Sequence, residues 1–394
     1  MTSVTDAHPR NALPAPRPPA AIRVAMVTNI PAPYRVPVLN LLARDTAFDL
    51  RVFYSARREP DRDWDLPALQ HDHHFLRESI FPRRNGGYTH NNTDVFGELR
   101  AFDPHVVINT GFNPTHLYAF AFAQLFRRRH IAMTDSTLDS EAELSKLHRA
   151  VRRIVIRRSA AFVAASQSGR SLLVSYGASA ERVHLSPLCA NMSIAWHGAS
   201  PNMPMVDFLF SGRLVNIKNP MFAIEVALGV AQRIGRRTSL AILGAGPLEP
   251  QVRQRAAELA EHIEVHVVGN VRQAEVPAWF ASARVFLFPT SWDPWGVVAN
   301  EACLAGVPTI VSPRAGAAGE LIIDEVNGYI RPLQVSDWVD AATKLIGDDA
   351  RRALFSQCAR ERVAPYNAQS AAAGIAEAIR MAAAHGDPQT ITGT

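Results

Sequence analysis

The chain has 394 residues, 47% apolar and 20% charged, which fits two soluble α/β domains and excludes a disordered or membrane-embedded polypeptide. Forty-one Lys and Arg against 36 Asp and Glu leave a formal charge of +5, an excess that suits an anionic ligand or an acidic lipid surface and is too small to indicate nucleic acid. Cys189, Cys303 and Cys358 lie far apart without metal-ligand spacing, and are expected as buried, reduced thiols of a cytoplasmic protein.

Residues 1–20 are rich in Pro and Ala with no continuous apolar core, so they read as a disordered lead-in and not as a signal peptide. The apolar run at 22–27 reads as a buried parallel strand that stops at Thr28, Asn29 and a Pro-rich turn. A helix is expected at 36–43 and a strand at 48–54. The polar, His-rich stretch 57–95 reads as a long loop region with short strands. Strands follow at 106–108 and 131–133; between them Asn113 and Pro114 open a helix. The longest nearly apolar run, 117–126, is about half of the ~20 residues a spanning helix needs, so membrane contact is expected to be peripheral.

A basic helix is expected at 146–158, with Arg149, Arg152, Arg153 and Arg157 on one face and Val151, Ile154 and Val155 largely on the other. A strand at 160–164, a helix at 168–176 and a linker-like stretch at 191–204 complete the first half. The second half alternates more cleanly. Strand signals at 208–210, 240–243, 265–268, 285–288 and 309–311 are separated by helical stretches at 220–234, 248–260, 275–283 and 298–305. Both halves therefore read as doubly wound α/β domains with parallel sheets, whose ligands lie outside the carboxyl ends of the strands.

Three segments of the second half carry candidate chemistry. In Phe210-Ser211-Gly212-Arg213-Leu214, followed by Lys218, two cations at a strand end can counter the charge of a diphosphate leaving group; an ordinary surface loop would read the same way. Leu243-Gly244-Ala245-Gly246-Pro247 permits close approach of backbone to a ligand, or is simply a tight strand-to-helix connection. It is not a dinucleotide fingerprint, because Glu249 takes the place of the third glycine. The most informative run is 291–308, with Asp293 in a loop, Gly296 and Val297 opening a helix, and Glu301 about a turn inside it. A helix N-terminus favours phosphate, and carboxylates on either side of it can hold sugar and ribose hydroxyls. The plainer alternative makes Asp293 a helix cap and Glu301 an exposed helical residue.

Together these segments resemble glycosyltransferase family 4, the retaining GT-B enzymes among the group 1 glycosyl transferases. That family carries Glu, seven residues and Glu on this loop and helix, then a Gly-Val-Pro turn like Gly306-Val307-Pro308. The similarity covers 208–332 well and the N-terminal half more loosely. It implies two Rossmann-like domains facing a central cleft: an acceptor-side domain at 21–190, a linker at 191–206, and a donor-binding domain at 207–365. It also implies a helix at 366–384 packing back on the first domain, and a tail at 385–394. By the resemblance, Arg213 and Lys218 bind the donor diphosphate, Glu301 holds the ribose hydroxyls, and Asp293 contacts the donor sugar. Gly212, Gly244, Gly246, Gly296 and Val297 line the donor, and Gly269 and Val271 meet its base through backbone atoms.

The chain departs from the family pattern in three places. Asp293 is one methylene shorter than the usual Glu. The glycine-rich loop after the first strand is replaced by Ile30-Pro31-Ala32-Pro33-Tyr34-Arg35, in which Arg35 is either a phosphate ligand or a surface residue. Where relatives place a His after an N-terminal-domain strand, this chain has Asp135; His116 is a second candidate, with a satisfied helix-end histidine as its alternative. Asp61-Arg62-Asp63 carries an Asp-x-Asp spacing but reads as a solvated loop.

The expected reaction moves a sugar from a UDP- or GDP-sugar to a hydroxyl of a glycan or lipid-linked acceptor, with no cofactor and no metal. The setting would be bacterial surface or exopolysaccharide synthesis, in the cytoplasm or at the inner face of its membrane, with docking on anionic lipid through the Arg149–Arg157 face. A nucleotide-sugar epimerase or phosphorylase of the same architecture, and a non-catalytic sugar-nucleotide-binding protein, are the alternatives.

Overall fold

A computed structural model describes residues 21–384 except 61–65, 67, 84–86, 142–143 and 191–202. The lead-in, the tail, most of the linker and the Asp-x-Asp loop named above lie outside the described residues.

The first half is built on strands β1 (Ile22–Thr28), β2 (Phe48–Tyr54), β3 (Asp72–Phe75), the hairpin β4 (Ile80–Pro82) and β5 (Tyr88–His90), then β6 (Val106–Asn109), β7 (Arg129–Thr134), β8 (Ala161–Ala164) and β9 (Val183–Leu185). Among the described residues, seven of these form a parallel sheet in the order β3-β2-β1-β6-β7-β8-β9. Its helices are α1 (Val36–Leu42), α2 (Val95–Phe102), α3 (Pro114–Leu125), α4 (Lys146–Arg157) and α5 (Gln167–Ser175). Continuous apolar runs make β1, β6 and β8 buried on both faces, as a sheet covered on two sides requires. β3 was not legible as part of this sheet: its sequence Asp-His-His-Phe is an edge strand without an apolar signal.

The second half repeats the plan with β10 (Val206–Ser211), β11 (Thr238–Leu243), β12 (Ile263–Gly269), β13 (Ala283–Phe288), β14 (Thr309–Val311) and β15 (Gly328–Ile330), paired in parallel in the order β12-β11-β10-β13-β14-β15. The helices are α6 (Pro220–Ile234), α7 (Glu249–Glu258), α8 (Val276–Ala281), α9 (Val297–Ala305), α10 (Val335–Gly347), α11 (Asp349–Val363) and α12 (Ala368–Ala384). No strand or helix is expected from the sequence between 312 and 365. There Trp338 of α10 is fully buried, packed edge-on against the half-buried Phe222 of α6 with 5.2 Å between ring centroids.

α12 belongs spatially to the first half. Ala371, Ile375, Ala378 and Ile379 join Val24, Val52, Ile131 and Val163 in one core. Its small residues let it lie close to the sheet, and a Cβ at Gly374 would strike the Leu185 carbonyl.

The basic helix differs from its expected pattern. In α4 the inward face is Val155 and Ile156, while Ile154 is 49% exposed. Arg152 turns inward: it pairs with Glu141 and lies 4.6 Å from the centroid of the Phe112 ring. The exposed cations are Lys146, Arg149, Arg153 and Arg157. Arg152 thus leaves the basic face expected for it, because its partner Glu141 lies on the preceding 3-10 turn, where the helical spacing gives no sign of it.

The thiols also differ in part. Cys189 and Cys303 are buried and Cys358 is half-buried; burial pushes the Cys303 thiol up to about 12.

Strand order reverses between β1 and β6 in the first sheet and between β10 and β13 in the second. Connections leave to opposite sides at such a point, so a crevice opens above the carboxyl ends of these strands.

Candidate functional site at the C-terminal switch point

The loop after β10 and the loop after β13 flank the second crevice, and they are tied together by backbone. Ser291 N–H donates to the Ile217 carbonyl at 2.8 Å, and Asn219 Nδ2 donates to the Pro289 carbonyl at 2.7 Å and to Ser291 Oγ at 2.8 Å. Asn219 holds a left-handed conformation, φ 52°, which Asn tolerates better than most residues. This lacing brings the Lys218 ammonium against the Asp293 carboxylate in a mostly buried ion pair. Asp293 also accepts the Trp295 N–H at 3.1 Å through its other oxygen.

Asp293 is therefore not the cap of α9. That position is Gly296, with φ 91°, where a Cβ would run into the Phe288 ring. The first N–H groups of α9, those of Val297 and Val298, precede the helix's own ladder and open toward the loop end. Glu301, one turn on, is 9% exposed and so is not the exposed helical residue of the plainer reading. Burial pushes its carboxyl up to about 7, against a long hydrogen bond from Gln273 Nε2 at 3.5 Å that pulls it down.

Arg213 is exposed on the turn after β10, where its carbonyl accepts the Val215 N–H at 2.9 Å. The glycines have local reasons. Gly212 N–H donates to the Leu243 carbonyl at 3.0 Å and Gly244 N–H to the Gly269 carbonyl at 2.7 Å, so the three strand-end loops are stitched in a row. A Cβ at Gly244 would collide with the Gly212 carbonyl, and one at Gly246 would press on that of Leu214. Close loop-to-loop packing thus accounts for both glycines, without calling on a ligand. Val271 is half-buried beside this row.

At the first switch point Arg35 and Asp135, 100 residues apart, meet at 2.5 Å; Arg35 also donates to Ser186 Oγ at 3.2 Å. Both line a cavity of about 220 Å³ with Thr28, Asn29, Thr110 and Glu59. Glu59 is backed by the fully buried His90, 3.0 Å away. His116 does not join them on the surface: it is 1% exposed, lies beneath Gly111, and burial pulls its pKa down to about 3, leaving a neutral ring. A larger apolar cavity of about 440 Å³, lined by Leu185, Pro187, Pro365 and Tyr366, lies between the halves and includes none of Lys218, Asp293 or Glu301.

Sequence reasoning missed Asn219, Gln273, Trp295 and Asn300. For Asn219 a signal existed in the Asn-Pro step that opens α6; for Gln273 and Asn300 nothing local distinguishes a site residue from a polar helix residue. Among the described residues no three His, Cys, Asp or Glu side chains gather as metal ligands, and no helix is long and apolar enough to cross a membrane.

Residues 200–362 match the family model for glycosyl transferases group 1. The D-inositol 3-phosphate glycosyltransferase of Pseudarthrobacter chlorophenolicus is 28% identical over 225 residues, 53% of this chain and 52% of that protein. A GDP-mannose-dependent α-(1-6)-phosphatidylinositol monomannoside mannosyltransferase of Mycolicibacterium smegmatis is 34% identical over 126 residues, 29% of this chain and 32% of that one. The chain spans about half the length of the inositol-phosphate relatives it matches. In three dimensions HepE of Anabaena, solved with UDP, superposes with a TM-score of 0.69 at 15% identity, over 91% of this chain and all of that one. The two switched parallel sheets are thus those of the GT-B fold, and residues 200–362 of the chain are similar to the group 1 glycosyl transferases.

Proposed function

We propose that this chain is a glycosyltransferase that moves a sugar, with retention of configuration, from a nucleoside-diphosphate sugar to a hydroxyl of a glycan or lipid-linked acceptor. The observation that carries this reading is the Lys218–Asp293 pair beside the N-terminus of α9, with Glu301 buried one turn inside. A diphosphate would take Lys218 and the α9 N–H groups, with Arg213 closing from the exposed turn; these donors oppose the charge that grows on the departing nucleotide. Asp293, released from Lys218, would accept a donor-sugar hydroxyl, and Glu301 the ribose hydroxyls. The cavity at Arg35, Asp135 and Glu59 would hold the acceptor side. The HepE complex shows that this fold accommodates UDP in that protein; a UDP- or GDP-sugar is the donor proposed here, used without cofactor or metal.

The test is nucleotide release from a panel of donor sugars, with and without extracted lipid-linked glycans. Release that requires acceptor supports transfer. Interconversion of donors without acceptor would make the chain an epimerase, and binding without turnover of any donor would make it a non-catalytic binding protein.

A role at the inner face of the membrane, in surface or exopolysaccharide synthesis, rests on α4. Leu147 is 73% and Ile154 49% exposed, on the same side as Lys146, Arg149, Arg153 and Arg157. Cations flanking exposed aliphatic side chains suit an anionic lipid surface.

A further inference from the structure

Two segments cross between the halves: the outgoing one after β9, and the return between α11 and α12. The first is bonded to the helix that carries Glu301, and the second packs on the turn that leads into that helix. Asn300 is fully buried; its Nδ2 donates to the Leu188 carbonyl of the outgoing segment at 3.1 Å, and its Oδ1 accepts the Trp295 indole N–H at 2.7 Å. The Trp295 ring, 1% exposed, stacks on Tyr366 of the return segment with centroids 5.4 Å apart and planes at 26°. The Trp295 backbone N–H in turn donates to Asp293.

On the other side the outgoing segment is held by the first-domain cavity. Arg35, paired to Asp135, reaches Ser186, two residues before Leu188. A continuous run of direct bonds and one short stretch of backbone therefore leads from Asp135 through Arg35, Ser186, Leu188, Asn300 and Trp295 to Asp293. An asparagine at this place serves a purpose that an apolar residue would not, because it alone satisfies an indole N–H and a carbonyl that are both buried.

We infer that Asn300 is a positioning residue that couples the arrangement of the two domains, set from the Arg35–Asp135 pair, to the setting of Asp293 in the donor loop. This rests on the glycosyltransferase reading for its consequence in turnover, but the coupling is a property of the fold and can be read without turnover. Shifts of the outgoing segment pull on Asn300, Asn300 pulls on the indole, and the loop between Asp293 and Gly296 follows. A carboxylate displaced by a fraction of an ångström from a sugar hydroxyl loses much of its effect on rate.

The test uses the full chain with Asn300→Leu, Trp295→Phe, Arg35→Met and the double variant Arg35→Met/Asn300→Leu. Hydrogen exchange of the 291–298 segment is measured first. Arg35→Met is expected to speed exchange there in the native background and to add nothing once Asn300 is Leu. No response of that segment to Arg35→Met in the native background overturns the coupling, whatever the activity. Transfer is measured second: kcat is expected to fall about tenfold in Asn300→Leu, with donor KM changed less, and the two substitutions are expected to be non-additive. Multiplicative effects in the double variant, or loss of thermal stability with full kcat in the folded fraction, assign Asn300 a structural role only. Should Asn300→Leu fail to fold, Trp295→Phe keeps the ring on Tyr366 while removing the indole N–H, and the same comparison is made with it. Absence of turnover in the native protein, with the exchange response intact, would count against the transferase reading and not against the coupling.

Discussion

Lys218 and Asp293 stand 75 residues apart in the chain and meet as an ion pair above the point where the second sheet reverses its strand order. One follows β10 and the other β13, neighbouring strands whose connections leave to opposite sides, so the topology itself brings the two charges together. In this state each satisfies the other. A diphosphate arriving at Lys218 must displace a carboxylate, and that competition yields a prediction of opposite signs for two activities.

Asp293→Ala should bind the free nucleoside diphosphate more tightly, by roughly fivefold, because the ligand no longer has to displace a carboxylate from a mostly buried cation, while transfer falls about 100-fold. Lys218→Met should weaken both. Calorimetric titration of the nucleotide alongside steady-state transfer checks this; weaker nucleotide binding in Asp293→Ala would remove the competition and with it the proposed role of the pair.

Glu301 sets a pH dependence. Its folded pKa of about 7 is raised above the ordinary 4.5 by burial, so the charged form is disfavoured in the unliganded fold. As a ribose-binding carboxylate it acts ionised, and nucleotide affinity should fall by up to about tenfold per unit as pH drops below 7. The ligand's own phosphate titration is common to the native protein and Glu301→Gln, so the difference between their curves isolates this group. Stability has the opposite sign. Between pH 7 and 4.5 the folded state holds the proton more tightly, so this group's contribution to stability rises as pH falls through that window. Above pH 7 the penalty is fully present, and Glu301→Gln should be more stable at pH 8 by about 2 kcal/mol in denaturant titration.

The sequence made most of the second domain legible because its strands are short apolar runs and its helices lie between glycine and proline signals. α6 begins at Pro220 and ends at Gly235 for reasons visible in the letters. The candidate site was legible where chemistry and strand end coincide, as at Lys218 and Asp293. It was illegible where a role depends on a distant partner: Asn300 is one polar letter in an apolar helix until Leu188 and Trp295 are placed against it. Arg152 misled for the same reason, since nothing near it in the chain announces the buried Glu141.

Gly296 is required by space as well as by backbone. Its φ of 91° disfavours a side chain, and a Cβ would meet the Phe288 ring. Gly296→Ala should lower stability by about 1–3 kcal/mol and reduce transfer in the molecules that remain folded, because the α9 N-terminus must move to relieve the contact. Gly347, at the end of α10, has open space around its Cα and is the matched control. Equal melting temperatures for the two alanine variants would show that the site does not depend on this approach.

The exposed face of α4 separates two forces that bind proteins to membranes. Leu147 and Ile154 would contribute by burial in the acyl boundary, each worth about 1.5–3 kcal/mol if fully covered, and this part is insensitive to salt. Lys146, Arg149, Arg153 and Arg157 would contribute about 1 kcal/mol each near an anionic surface, lost as salt rises. Leu147→Ser/Ile154→Ser should therefore reduce sedimentation with vesicles of mixed anionic and zwitterionic lipid at both low and high salt. Arg149→Gln/Arg153→Gln/Arg157→Gln should remove most of the low-salt gain, Lys146 keeping the rest, and leave high-salt binding unchanged. Arg152, spent on Glu141, should be silent in binding and costly in stability when changed to Gln, because Glu141 would be left buried without its cation. Equal sedimentation of all variants with the native chain would exclude α4 as the docking element.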